Sequence, residues 1–293
     1  MPPDTALPLR VGTWTVATIR RRLSRHRLSL AEALAGYVPA LPPLAEHEHG
    51  YLINALPAAL VAELAGRHPG LRPFVRQRYR RSYARLDGDF EAYMGGFSAK
   101  TRSGLRRKCR RLAERSGGRL DLRCYRSEAE IADFYREARA LSARTYQEQR
   151  LGYGLPEGEA ALAEMRALAR RDQVRAWLLF VDSRPVSYLY APAEGDTLVY
   201  AYLGYDPDFA DQSPGTVLLV EAMRQLMDER RFALFDFTEG EGRQKAQFAT
   251  GAVDCVDLLL VEPTAANLVI AGALNGFDAA VATAKRIVRG LRP

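Results

Sequence analysis

Histidine is scarce in this 293-residue chain, and its four copies, His26, His47, His49 and His68, all fall within the first 70 positions. The rest of the chain therefore has no imidazole for a Ser-His-Asp or Cys-His relay and none to ligate a metal. Cysteine is almost as rare. Cys109, Cys124 and Cys255 are far apart and odd in number, so no Cys-x-x-Cys metal or redox motif exists and a reducing compartment is the simple reading. No stretch reaches the roughly 18 uninterrupted apolar residues of a membrane span. The opening Met1-Pro-Pro-Asp-Thr5 has neither the basic nor the apolar region of a secretory leader. A cytoplasmic protein is expected, with attachment to the inner face of the membrane as an option.

Positive charge is what the sequence has in excess: 42 Lys and Arg against 35 Asp and Glu, a net +7. Such a balance favours anionic partners, whether phosphorylated donors, anionic lipid or nucleic acid. The densest run, Lys100 to Arg115, carries eight basic residues and one acidic one. Lys100 and Arg102 lie beside a Ser98 helix cap and are candidate phosphate contacts. Arg106 to Arg111 read equally well as a solvated face.

Patterning supplies the elements. Asp89–Phe97 and Ser98–Arg115 read as helices, Leu120–Cys124 as a strand, and Glu128 to about Arg150 and Glu157–Arg171 as helices. Val174–Val181, a turn at Asp182–Pro185, Val186–Ala191 and a turn at Glu194-Gly195-Asp196 lead into Thr197–Leu203, which makes a three-strand meander. Beyond a loop over Tyr205–Gln212, Ser213 suits an N-cap and Pro214 the first helical position. Gly215 would let a ligand approach, and the first-turn amides through Thr216 form an anion site. Phe232–Phe237 is apolar apart from Asp236, as expected of a buried strand. Thr264–Leu291 is a final amphipathic helix with Leu268, Leu274, Phe277 and Val281 before Lys285, Arg286, Arg289 and Arg292, a pattern that suits an anionic membrane surface or the protein's own sheet.

Carboxylates at a strand end can serve as a base, and a positive side chain beside them can stabilise a developing oxyanion. Asp236, Glu239 and Glu241 are carboxylates at or just past a strand end, and Tyr205 is a candidate acid. Tyr146 and Gln147, near the end of a long helix, are candidates for the acceptor-pocket wall. No metal is called for.

The order of these parts resembles the GNAT acyltransferase superfamily. The resemblance rests on Ser98-Ala-Lys-Thr-Arg102 with Leu105-Arg-Arg-Lys108, Tyr205-Asp206-Pro207, Ser213-Pro214-Gly215, Asp236-Phe237 and Gly240 through Lys245. It is most similar to the branch that contains the cellulose-biosynthesis-associated acetyltransferases and the Fem-type aminoacyl transferases, over about residues 90–262. Ser-Pro-Gly-Thr stands where the usual Arg/Gln-x-x-Gly-x-Gly/Ala phosphate loop would be. The resemblance implies an α/β (α+β) fold with a mixed, mostly antiparallel sheet flanked by helices. It divides the chain into a reduced N-terminal GNAT-like half over 1–90, an acyltransferase core over 91–262 and a C-terminal helix over 263–293. It implies N-acyl transfer from acyl-CoA or acetyl-CoA to a lipid-like amine or an envelope sugar. Lys245 would then contact donor phosphate or the oxyanion. Aminoacyl-tRNA-dependent transfer to a peptidoglycan precursor is the alternative enzyme. A non-catalytic nucleic-acid-binding module, using the arginines alone, is the alternative of another class.

Overall fold

The computed structural model describes residues 5–11, 14–145, 148, 154–239 and 243–290. In chain order the strands are β1 Thr5–Val11, β2 Trp14–Arg21, β3 Ser24–Arg27, β4 Gly50–Pro57, β5 Arg72–Arg85, β6 Asp121–Tyr125, β7 Val174–Val181, β8 Arg184–Glu194, β9 Thr197–Val199, β10 Tyr202–Tyr205, β11 Leu234–Asp236 and β12 Gly251–Val261. The helices are α1 Leu30–Leu34, α2 Val61–Arg67, α3 Phe90–Gly95, α4 Ala99–Arg115, α5 Glu128–Ser142, α6 Glu159–Arg170, α7 Pro214–Glu229, α8 Arg243–Phe248 and α9 Ala265–Gly290. The chain forms two compact units, one of residues 1–81, 239–241 and 252–293, the other of residues 82–238 and 242–251. The division differs from the expected cuts at 90 and 262. Its reason is strand pairing: β12 pairs antiparallel with β4, Leu258 opposite Ile53 and Leu260 opposite Tyr51, so the last strand and helix complete the unit that the first residues begin.

In that first unit β3 runs parallel to β4, β12 lies between β4 and β5, and β1 and β2 form a separate antiparallel hairpin. Ala271 and Leu274 of α9 are buried, and Leu274 packs into the cluster of Leu7, Leu259 and Val261.

The second unit carries the expected sheet, mixed and mostly antiparallel. From the end of β5 the order is β11, β9, β8, β7, β6, with β10 also on β8. Every residue of β7 is buried because the strand feeds two cores. Trp177, Leu179 and Val181 join the cluster that includes Leu105 and Leu112 of α4 and Val217 and Leu218 of α7. Val174, Ala176, Leu178 and Phe180 join Ile131, Phe134 and Leu141 of α5 and Met165 of α6. A strand covered on both faces needs an unbroken apolar run, and Val174–Val181 supplies one but for Arg175.

Two local outcomes depart from the sequence reading. Helix α5 ends at Ser142, eight residues early. Its last hydroxyl donates to Glu148 (2.6 Å) and accepts from the Leu155 amide and the Tyr188 hydroxyl (both 2.9 Å), which ties those three residues to the helix end. The strand expected over Thr197–Leu203 is two strands, with a break at Tyr200–Ala201.

Candidate active site

That break organises the site. Leu234, Phe235 and Asp236 of β11 lie parallel to Thr197, Leu198 and Val199 of β9, and the Tyr200 amide makes the last bond across, to the Asp236 carbonyl (2.8 Å). The next amide, Ala201, donates instead to the Tyr190 carbonyl of β8 (3.3 Å), and β10 then follows β8 from Tyr202 opposite Tyr190 to Tyr205 opposite Ser187. On the other side, the Phe237 amide turns to Ser82 of β5 (2.9 Å). Two parallel strands thus part just where Asp236 ends β11.

Four side chains meet at this point. Asp236 is fully buried and its Oδ1 accepts the Thr238 amide (2.8 Å). Thr238 has φ +60°, a left-handed conformation that costs a β-branched residue energy. Its Oγ1 accepts from Lys245 Nζ (3.3 Å). That ammonium also lies 5.4 Å from the centre of the Tyr200 ring, within cation–π range. Burial pushes the Tyr200 hydroxyl well above its ordinary range, so it stays a neutral phenol, packed against Phe235 and Phe237. The structure brings Asp236 and Lys245 together through Thr238, which with Tyr200 the sequence reading did not single out. A left-handed threonine leaves no composition signal.

The other expected residues are placed differently. Glu239 belongs to the first unit, where its charge and that of Asp257 add to burial in raising the Tyr79 hydroxyl. Glu241, Tyr146 and Gln147 lie outside the described residues. Nearby Thr145 is fully buried, its hydroxyl donating to the Ser142 carbonyl (2.8 Å). Tyr205 sits at the far end of β10, six residues past Val199 and thus up to about 20 Å along the strand.

There Tyr205 lies beside the first turn of α7, the expected anion seat. Ser213 holds the N-cap position in a left-handed conformation and its side chain caps nothing among the described residues. The Ser213 amide donates to Ala210, those of Thr216 and Val217 to the Ser213 carbonyl, and Pro214 has none. Gly215 is buried, and a Cβ on it would meet Leu203 at 3.0 Å and Tyr205 at 3.6 Å. Its missing side chain allows close packing of α7 on β10. What the turn keeps for an anion is the Gly215 amide and the positive end of a 16-residue helix. Arg102 is likewise occupied: its guanidinium donates to the Gly95 (3.1 Å) and Phe97 carbonyls and clamps the end of α3. Lys100 is exposed.

The loop into α7 is pinned by a charge network. Asp206 is fully buried and binds Arg184 and Arg144 (3.3 Å to the latter), while exposed Asp208 binds the same two arginines at 3.1 and 3.2 Å. Basic α4 packs against the 3₁₀ turn Pro207–Gln212 as well as against α7. Among the described residues no group of three His, Cys, Asp or Glu side chains is arranged to hold a metal ion.

Comparison with known proteins agrees with this layout. The family profile of the acetyltransferase (GNAT) domain matches residues 99–246. No curated protein matches the sequence. Among solved structures, the C-terminal domain assigned to a lysylphosphatidylglycerol synthetase of Agrobacterium fabrum is 16% identical, with a TM-score of 0.53 over 80% of this chain and 73% of that one. L-PGS from Bacillus licheniformis is 14% identical, with a TM-score of 0.50 over 78% and 72%. FemX is 11% identical, with a TM-score of 0.52 over 74% and 72%. At these identities the likeness is one of fold.

Proposed function

Because the chain belongs to the GNAT acetyltransferase family, we propose that it is an N-acyltransferase that moves an acyl group from an acyl-CoA thioester to an amine where β9–β10 and β11 part. The observation that carries this reading is the convergence of buried Asp236 with Lys245, through Thr238, at the end of β11. In the proposed step the amine nitrogen attacks the thioester carbonyl, the C–S bond breaks and the thiolate leaves. Asp236 takes the proton that the amine sheds, directly or through water, and the departing thiolate is protonated in turn. Lys245 sets a positive charge against the oxyanion that forms on the carbonyl oxygen. The diphosphate of the donor lies toward the start of α7, at the other end of β10, where the helix dipole and basic α4 attract it. Ser213, Thr216 and Lys100 are its candidate contacts.

For the acceptor we favour a lipid-like amine, with an amino sugar next. Leu268 and Val269 of α9 are exposed and the same helix leads in sequence to Lys285, Arg286, Arg289 and Arg292, which supports attachment to an anionic membrane. No helix among the described residues is long and apolar enough to cross one. A second reading keeps the site and changes the donor to an aminoacyl ester of tRNA; the fold shared with a lysylphosphatidylglycerol synthetase domain and FemX supports it.

The test offers acetyl-CoA, a long-chain acyl-CoA and an aminoacyl-tRNA in parallel to a sphingoid amine and to glucosamine, with products read by mass spectrometry. We expect an amide from an acyl-CoA, and Asp236→Asn and Lys245→Ala each slowing its formation by roughly a hundredfold or more. Full turnover in both folded variants would overturn the assignment of the site.

A further inference from the structure

Basic charge is dense along one helix of this chain. Helix α4 holds eight of the 42 basic residues and one of the 35 acidic ones, which leaves 34 of each for everything else. The whole +7 excess therefore equals the net charge of one 17-residue helix, about 26 Å long. Leu105 and Leu112 are buried in the core beneath it, and the opposite face is exposed. On that face Arg102, Arg106 and Arg110 recur every fourth residue, with Ser103 and Arg107 alongside, and with Ala99 they line a concavity of about 270 Å³. Arg106 reaches Glu91 at 3.3 Å and Arg110 reaches Glu114 at 4.0 Å, both between well-exposed side chains, and such pairs hold weakly. Among the described residues Lys100, Arg107, Lys108 and Arg111 make no ion pair.

We propose that this face of α4 binds a phosphodiester strand, a single-stranded or locally unpaired nucleic acid. Seven net charges along about 26 Å exceed what one phosphate or one small donor requires and match a ligand that carries repeated charge. Guanidinium groups fork onto phosphate oxygens, so arginine suits that ligand better than a diffuse anionic surface would require. A flat membrane is the poorer fit. It cannot follow a concavity, and α4 exposes no large apolar side chain to enter it. The binding is an addition to acyl transfer and does not depend on which donor the enzyme uses.

The experiment uses the full chain and a labelled 20-nucleotide RNA of mixed sequence, titrated at several salt concentrations. With about four phosphate contacts, affinity should fall with salt with a log–log slope near −3, since each contact on a single strand contributes roughly 0.7. Arg107→Glu with Arg110→Glu should weaken binding at least about tenfold and roughly halve that slope. Arg107→Gln with Arg110→Gln should fall between, and circular dichroism checks that both variants fold. Lack of RNA binding at low salt, equal binding by the charge-reversed variant, or a loss in that variant of vesicle binding rather than RNA binding would each overturn the proposal.

Discussion

At the scale of single residues, Thr238 is the position where backbone cost and chemistry meet. Its left-handed φ brings its amide onto Asp236 and its hydroxyl onto Lys245. A Cβ in that region costs about 1–2 kcal/mol, and glycine loses about 0.5–1 kcal/mol more chain entropy on folding. Thr238→Gly should therefore leave the melting temperature equal or slightly higher. The same change removes the oxygen that holds Lys245, so turnover should fall by at least about tenfold through lost orientation. A calorimetric scan beside a rate measurement checks both; a variant that is destabilised and fully active would show the strain to have no functional return. A second polar group is structural by contrast. Arg139 binds Glu148 and holds its carboxyl below the ordinary range, and with Ser142 this pair fixes the end of α5.

At the scale of elements, glycines separate packing from propensity. A Cβ on Gly204 of β10 would stand 2.4 Å from the Tyr188 ring and 2.9 Å from Thr145, neither of which has room to retreat. Gly204→Ala should cost about 2–3 kcal/mol. In α4 a Cβ on Gly104 meets nothing within 4 Å, so Gly104→Ala should add about 0.5–1 kcal/mol from helix propensity alone. Urea unfolding of the two variants reads the opposite signs. Helix α9 makes a different prediction. Its buried side, Ala271 and Leu274, is used within the first unit, while Leu268 and Val269 face outward. With each basic residue near an anionic leaflet worth about 1 kcal/mol, the protein should sediment with anionic vesicles at low salt. Arg286→Glu with Arg289→Glu should weaken that binding and leave the part that survives high salt. Leu268→Ser with Val269→Ser should remove only the part that survives high salt. No sedimentation at low salt would remove the support for a lipid acceptor.

At the scale of the whole molecule, the sequence made the second unit legible because its signals are local. Val174–Val181 is apolar enough for a strand covered twice, the turns at Asp182–Pro185 and Glu194–Asp196 carry turn residues, and Pro214 opens a helix. What stayed hidden depends on partners distant in the chain. Thr197–Leu203 is an unbroken run of aromatic, β-branched and aliphatic residues, and nothing in it says that Tyr200 bonds to β11 while Ala201 bonds to β8. The stretch after Ser142 has no glycine or proline before Gly152, so the end of α5 is decided by Glu148, Leu155 and Tyr188. Asp236 and Lys245 were visible as residue types near a strand end; Thr238 and the packing of Gly215 on Leu203 were not.

The division of the chain into units also fixes an order of assembly during synthesis. Residues 82–238 and 242–251 lie almost in one continuous stretch, and as they leave the ribosome they already hold nearly every strand of the second unit. β4 must wait. Its partner β12 is made some 200 residues later, since Ile53 pairs with Leu258, and closing so long a loop is slow. Throughout that interval one edge of β4 and part of the cover over Ile53 and Leu56 are missing, which makes the unit begun before the second the later of the two to be finished and the more in need of a chaperone.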